Sequence, residues 1–533
     1  MSNKLFWRIF SKRSIICFSI IAVMFFVTIL RLTSISTSNY SEVQHIQSSL
    51  KLKISDNRGT IFDCNKYPIT NSKKKIIAAV SPTPRAITAI SQMLKGDDLE
   101  NLLEQLRSGK PVTCQVEEII ECDGIICTEI YETDSQIPAI HTIGYTNSDN
   151  IGVSGIQKAY EDTLKSKGSI YIRYACDGKG RILSGITPEI TNQMSPYSSG
   201  VVTTIDINIQ KIAEAEADNL GLGAIVVADA KTSKIRAIVS RPNFTLDNIE
   251  NALESYDSPM FNRALGAYNV GSIFKPCVAA AGCENGFENF TYNCTGSFEI
   301  IDRTFRCHEH NGHGFADMNF AIANSCNTYF YNFAFKIGKN PILNCVNTLN
   351  FGKSIKICDN ITTSKGSLPP AESLENLAHL ANFSIGQGVF TASPVSMLTL
   401  YTAIANNGQY YLPSIVESTI ENGYENKYNI GSPTKAFSEA TAQKLKEALS
   451  QVITEGTGIL AKPETVTAGG KTATAQTGKY ENSVEVNSSW FCGFFPLDDP
   501  KYVIIVFSQD TKKQTESCAK IFAQIADKIT ALP

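Results

Sequence analysis

Three short stretches of this chain carry side chains that could work together on an acyl group. Ser272 and Lys275 stand three residues apart, Ser325 and Asn327 flank Cys326, and Lys471-Thr472-Ala473-Thr474 follows. On a helix, positions i and i+3 share a face, so the Lys275 amine can sit beside the Ser272 hydroxyl. A serine hydroxyl is a weak nucleophile near neutral pH and needs an activating base. Lysine can be that base only while its amine is neutral, and burial or a nearby cation lowers its pKa. In a strand, alternation puts Thr472 and Thr474 on one face and Lys471 and Ala473 on the other. Those hydroxyls and the Lys471 charge can bind a carboxylate. Taken alone, Ser325-Cys326-Asn327 reads as a helix-capping cluster.

Ser-x-x-Lys spacing does not by itself single out Ser272, because it recurs at Ser48–Lys51, Ser72–Lys75, Ser432–Lys435 and Ser517–Lys520. Context does. Tyr268-Asn269-Val270-Gly271 reads as a turn, and Pro276 with the small-residue run Val278-Ala279-Ala280-Ala281 reads as a buried helix. Ser272 is thereby delivered to a helix start.

The elements around these stretches follow from apolar periodicity. A helix is expected over Ile209–Asn219, and buried strands over Gly223–Asp229 and Ile235–Ser240. A helix over Met318–Asn324 leads into Ser325. Strands are expected at Ser488–Pro496 and Tyr502–Gln509, and Ser517–Ala531 has helical spacing, which reads Ser517–Lys520 as the first turn of a surface helix. Strands at both ends with helices between them fit one sheet assembled from both termini. That last helix is expected to close the chain, with no appended repeats. From Ile54 to about Ser199 the chain mixes short strands, loops and a helix near Leu99–Leu106, with no catalytic constellation. It reads as a folded pedestal, with a boundary at the turn formers Pro196–Gly200.

The chain has 533 residues, 43% apolar and 19% charged, with a net charge of -3. There is no basic excess, so nucleic acid is not an expected partner. Lys4, Arg8, Lys12 and Arg13 precede an uncharged run from Ser14 to Leu30, which ends at Arg31. At about 1.5 Å per residue that run spans roughly 25 Å, enough for an anchor if Arg31 snorkels. The preceding positive charge predicts an inside N-terminus. No A-x-A-like cleavage site follows, so an uncleaved single-pass anchor is expected.

Fifteen cysteines are present, fourteen of them outside the apolar run. They fit either disulfides in an oxidising exterior or free thiols in an anaerobic source. Cys294, Cys307, His308, His310, His313 and Cys326 form a second cluster, with Cys294 and Cys307 flanking a hairpin-like segment from Ser297 to Phe305. Packed free side chains, a Cys294–Cys307 disulfide and a metal site all remain open. No metal ligands are assigned, and no cofactor is expected.

At this point the chain resembles the class B penicillin-binding proteins, the monofunctional peptidoglycan D,D-transpeptidases. The three motifs occur in that group's order. The resemblance extends to Arg58-Gly-Thr-Ile-Phe-Asp63, to Thr203-Thr-Ile-Asp206 with Gln210, and to Asn262-Arg-Ala-Leu265. It also covers Gly312-His-Gly314, Gly386-Gln-Gly388, Ala403-Ile-Ala-Asn-Asn-Gly408 and Trp490-Phe-Cys-Gly-Phe-Phe-Pro496. It implies an α+β fold: a transmembrane helix, a mixed α/β pedestal, then a serine β-lactamase-like domain in which helices cover an antiparallel sheet. The implied division is a cytoplasmic tail 1–13, an anchor 14–31, a pedestal or dimerisation-type domain 50–199 and a transpeptidase domain 200–533.

By resemblance, Ser272 is the nucleophile, Lys275 its base and Lys471 the neighbouring cation. Ser325 would relay a proton to the leaving amine, and Asn327 would bind the substrate amide. Thr472 and Thr474 would bind the carboxylate, and the backbone N–H groups of Ser272 and Thr474 would form the oxyanion hole. Such donors contribute on the order of 3 kcal/mol each to the transition state. The group usually has Gly where this chain has Ala473, and overpacking a tight site costs roughly 1–3 kcal/mol.

The resemblance implies peptidoglycan stem peptides as substrates and β-lactams as inhibitors. It also implies a multi-span lipid-II polymerase among division or sporulation wall proteins as partner, with the catalytic domain outside the cell membrane. A septal or sporulation role is favoured over elongation. Two other readings stand beside it. One is a D,D-carboxypeptidase or β-lactamase, for which no water-activating residue is assigned. The other is a catalytically weak scaffold or sensor, supported only by Ala473.

Overall fold

The computed structural model describes residues 3–533 except 38–48, 166–167, 184, 192–194, 301–302, 482 and 513. Ser48 and the tip of the expected hairpin at 301–302 therefore lie outside the described residues. An α-helix runs over Asn3–Thr37. Its Ser11–Ser36 stretch has mean hydropathy 2.6 and no buried surface, and it is long and apolar enough to cross a membrane. At about 1.5 Å per residue these 26 residues cover roughly 39 Å, more than the span expected over 14–31.

The chain divides into two compact units, and the division is discontinuous in sequence. One comprises Met1–Asn57, Lys74–Ile130 and Gly168–Met194, the other Arg58–Lys73, Tyr131–Lys167 and Ser195–Pro533. The segment expected as a single pedestal, 50–199, is thus shared between them. Strands at Ser49–Asp56, Ser169–Ala175 and Glu189–Thr191 form one sheet of the smaller unit, and Val112–Val116 with Lys73–Val80 and Ile125–Glu132, all but their end residues Lys73, Tyr131 and Glu132 in that unit, form another. Helices Pro84–Met93 and Asp97–Leu106 pack Ala86, Ile90, Leu102 and Leu106 with Ala78 and Val80 of the second sheet.

In the larger unit, Arg58 explains why its flanking segments belong there. The guanidinium is buried. It donates to Glu161 Oε2 at 2.7 Å, Gln157 Oε1 at 2.8 Å and the Asn150 carbonyl at 2.8 Å. A buried cation needs such partners. Next to it, Thr60–Phe62 pairs in parallel with Gly200–Thr203.

The central sheet has five antiparallel strands: β1 (Gly223–Asp229), β2 (Ile235–Arg241), β3 (Gly469–Glu481), β4 (Val484–Phe495) and β5 (Tyr502–Ser508), in the order β2-β1-β5-β4-β3. Strand alternation splits its side chains between two cores. Ile225, Val227, Phe491, Ile504 and Val506 pack with helices Ile207–Ala217 and Cys518–Thr530. Ala224, Val226, Trp490, Ile505 and Phe507 face the larger core, which holds Leu398, Leu400 and Val278. Burial on both faces is why these strands read as continuous apolar runs. Gln210 locks the first helix to the sheet: its amide donates to the Ile238 carbonyl and accepts from the Ile238 N–H.

Candidate active site

Lys275 opens helix α1 (Lys275–Cys283), preceded by a 3-10 turn over Gly271–Phe274 that carries Ser272. Pro276 fits the first helical turn, where its missing N–H costs nothing. Ser272 is half-buried, while Ile273, Phe274 and Lys275 are buried. Three contacts hold this turn: the Tyr401 hydroxyl donates to the Ile273 carbonyl at 3.0 Å, the Trp490 indole N–H to the Asn269 carbonyl at 2.9 Å, and the Gly271 N–H to the Gly386 carbonyl at 2.8 Å. Sequence reasoning quoted Trp490 and Gly386 within motifs but gave them no role, and it missed Tyr401. A tyrosine in an apolar helix gives no signal of the carbonyl it will reach.

Ser325 lies between helices α2 (Met318–Ala323) and α3 (Asn327–Ile337). Its φ is +53°, a sparsely populated conformation for a residue with a side chain. It is not a helix cap, since the N-cap position belongs to Cys326. All three N–H bonds of Lys275 instead go to this motif. Nζ donates to the Ser325 carbonyl at 2.6 Å, to Ser325 Oγ at 3.1 Å and to Asn327 Oδ1 at 2.8 Å. Lys275 is fully buried, and burial lowers its pKa to about 8.

Lys471 is also fully buried, on β3, and its Nζ donates to the Thr472 carbonyl at 3.1 Å. Its pKa falls well below the ordinary value, first through burial and then through repulsion by Lys275. Two ammonium groups in one dry site are thus disfavoured, and an anion arriving there would favour both charges. Thr472 and Thr474 lie on the more open face of β3, with Thr474 exposed. Thr472 Oγ1 is 3.0 Å from the hydroxyl of Thr457, a residue absent from the motif reading. As the edge strand of the sheet, β3 leaves backbone groups on one side open for a bound peptide.

Other Ser-x-x-Lys matches separate on structure. Ser517 caps the final helix by accepting from the Lys520 N–H, and Lys520 pairs with Glu516. Ser72 and Ser432 are exposed, and neither is followed by a helix.

Ala473, the departure from the usual glycine, points inward and is 5% exposed, away from the open face carrying the threonines. Its methyl faces Gly271. A Cβ added at Gly271 would lie 3.4 Å from Ala473 Cβ and 3.3 Å from Ala475 Cβ, on a backbone with φ +67°. The glycine beside Ser272 therefore makes room for the methyl. Gly271→Ala is expected to destabilise the fold by about 1–2 kcal/mol, through left-handed strain and crowding, and to slow acylation. Ala473→Gly is expected to cost under about 1 kcal/mol. Thermal melts with penicillin-labelling rates on both variants check this.

The second cluster also converges. Cys294, Cys307, His313 and Cys326 bring their ligand atoms within 4.8 Å of one another. Among the described residues no disulfide is formed, and Cys294 and Cys307 are both free. Cys307 and Cys326 lie 4.0 Å apart, Sγ to Sγ. Their hydrogen bond holds the Cys307 thiol well below the usual range and Cys326 above it, as for one proton shared by two sulfurs.

Comparison with known proteins agrees with this geometry. The family described as penicillin binding protein transpeptidase domain matches residues 223–530. Stage V sporulation protein D of Bacillus subtilis (strain 168) is 30% identical over 410 residues, covering 73% of this chain and 61% of that protein. Peptidoglycan D,D-transpeptidase MrdA of Acinetobacter baumannii is 27% identical over 411 residues, covering 70% and 59%. The chain thus spans about three-fifths of the length of these curated relatives. Among solved structures, the D,D-transpeptidase domain of a peptidoglycan glycosyltransferase from Eggerthella lenta superposes with TM-score 0.63 at 24% identity, covering 90% of this chain and all of that one. Helicobacter pylori PBP2, solved in complex with MreC, superposes with TM-score 0.64 at 20% identity, covering 90% and 98%. At these identities the structures carry the fold alone. A serine turn held to a five-stranded sheet, a buried lysine bonded to the second motif and a family match across both lead to one conclusion: the chain belongs to the penicillin-binding protein transpeptidase family.

Proposed function

We propose that this protein is a membrane-anchored serine D,D-transpeptidase that cross-links peptidoglycan stem peptides. The observation that carries the reading is the buried Lys275, one turn after Ser272, bonded to both Ser325 and Asn327. Ser272 Oγ attacks the carbonyl of a D-Ala-D-Ala end while Lys275 accepts its proton. An ester forms, the peptide bond breaks, and D-Ala leaves with a proton relayed through Ser325. The amine of a second stem peptide then attacks the ester, forming the cross-link and freeing Ser272. Asn327 binds the donor amide, while Lys471, Thr472 and Thr474 receive its carboxylate. The backbone N–H groups of Ser272 and Thr474 hold the oxyanion. A β-lactam enters as a donor mimic and acylates Ser272.

The placement proposed is a single span over 14–31 with the 1–13 tail inside, supported by the basic residues before the apolar helix. Everything after the span, the segment 50–199 and the catalytic segment 200–533 alike, is then outside the cytoplasm. A multi-span lipid-II polymerase and other division or sporulation wall proteins are the proposed partners. The likeness to Stage V sporulation protein D supports the sporulation side. The MreC complex of the Helicobacter pylori neighbour supports wall-assembly partners in general.

The test supplies the full chain with a D-Ala-D-Ala stem peptide and an acceptor amine. Release of D-Ala with matching formation of cross-linked dimer is expected. Release without acceptor incorporation would reassign the protein as a carboxypeptidase. Rapid turnover of penicillin would make it a β-lactamase, and no acylation at all would leave a scaffold.

A further inference from the structure

We propose that Thr457 is a positioning residue for the carboxylate site: its hydroxyl sets the direction of the Thr472 hydroxyl, and through it the capture of an acidic substrate end. The inference rests on the transpeptidase function proposed above and adds a residue that lies outside the three motifs.

Helix α2 stops at Ala323, and the last carbonyls of a helix lack partners within it. If the helix ran on, the Asn327 N–H would reach the Ala323 carbonyl, but it is turned to Cys307 Sγ instead. Thr457 takes that place. Its backbone N–H donates to the Ala323 carbonyl at 3.0 Å, and its hydroxyl donates to the same oxygen at 3.3 Å. The flanking glycines permit the approach. A Cβ on Gly456 would collide with the Ala323 carbonyl oxygen, and one on Gly458 would stand 2.9 Å from Val452 Cγ1. Thr457 is thus fastened to the end of α2, two residues before Ser325. It reaches the third motif through the 3.0 Å contact between its hydroxyl and that of Thr472. Thr457 is exposed and Thr472 half-buried, so the pair borders the open face of β3.

The proton inventory gives this contact a direction. A threonine hydroxyl has one proton to donate and two lone pairs. While Thr457 donates to Ala323 it can only accept from Thr472, so the Thr472 proton points at Thr457. Lys471 Nζ, 3.5 Å from Thr472 Oγ1, offers donors only. A carboxylate offers acceptors only, and Thr472 must turn its proton to meet one. Thr457 can follow, because the Ala323 carbonyl keeps the shorter bond from the Thr457 N–H when the hydroxyl leaves. Thr457 then donates to Thr472, and Thr472 donates to the carboxylate. Every proton stays on its own oxygen, and both hydroxyls are satisfied in either state. Hydrogen bonds chained in this way strengthen one another, and the last of them is charge-assisted. An uncharged ester accepts a weaker bond and gains less from the arrangement.

The test compares acylation of the full-length protein in detergent by benzylpenicillin and by its methyl ester. Thr457→Val keeps the branched shape and removes the hydroxyl. It is expected to lower acylation efficiency about ten-fold with the free acid and about two-fold or less with the ester, while Thr457→Ser stays close to wild type. The loss should fall on the concentration needed for half-maximal rate more than on the maximal rate. In a Thr472→Val background, Thr457→Val should cost nothing further, because it acts through a hydroxyl already gone. Equal losses on acid and ester would make Thr457 merely structural and overturn the proposal. So would no loss at all, or a full additional loss in the Thr472→Val background, which would make Thr457 a direct ligand. If Thr457→Val does not fold, Thr457→Ala is read by the same ratio. A wild type that neither ligand acylates would overturn the transpeptidase reading and this proposal with it. A wild type that acylates, with an unchanged acid-to-ester ratio in the variant, would overturn this proposal alone.

Discussion

Ser272→Ala is expected to abolish covalent labelling by a fluorescent penicillin in isolated membranes, while the wild type keeps a labelled band for many minutes. The effect is all or none, because among the described residues the other motif hydroxyls do not hold an equivalent place. Ser325 is nearly buried and already bonded to Lys275. Ser517 is committed to its helix N-terminus. Among the described residues, Ser272 joins partial exposure to a turn held by Tyr401, Trp490 and Gly386. The substitution removes one oxygen from a half-buried position, so the melting temperature should move little. A band that persists in a folded Ser272→Ala protein would place the acyl group elsewhere and remove the basis of the mechanism. A wild-type band that decays within moments would point to hydrolysis.

Lys275 substitutions should come second in size. General-base catalysis contributes about 10²–10⁴-fold, so Lys275→Ala is expected to slow acylation by about 10³-fold. Alanine also strips a donor from the Ser325 carbonyl, Ser325 Oγ and Asn327 Oδ1, and an unsatisfied buried acceptor costs about 1–3 kcal/mol. Lost stability could then masquerade as lost catalysis. Lys275→Arg separates the two: it keeps donors and charge but cannot surrender a proton, so acylation should fall as far with more of the fold retained.

The wild-type pH profile gives an independent check. With its pKa lowered to about 8, Lys275 is mostly protonated below that pH, and only the neutral amine is a base. The acylation rate should therefore climb about ten-fold per pH unit below pH 8 and level off above it. A flat profile between about pH 6 and 9 would assign the base elsewhere. The stability sign runs the same way. A folded lysine below its ordinary 10.5 binds its proton less well than the unfolded chain does. The burial penalty is then full below about pH 8 and is relieved as pH rises towards 10.5.

Much of this protein was determined by its sequence alone. The helix start at Ser272, the alternation along Lys471–Thr474 and the apolar runs of β1, β4 and β5 follow from local periodicity, which depends only on neighbouring residues. The family followed from motif order and flanks for the same reason. What tertiary structure decided lies in contacts between distant segments. Lys275 is an ordinary helix lysine until the Ser325 loop, fifty residues on, and surrounding apolar packing withdraw it from water. Ala473 reads as overpacking until Gly271 is seen to face it. Segments 58–73 and 131–167 join the larger unit because Arg58 needs buried partners that spacing cannot reveal. Cys294, Cys307, His313 and Cys326 are scattered in sequence and come within 4.8 Å of one another only when strand ends and a helix start meet in the fold.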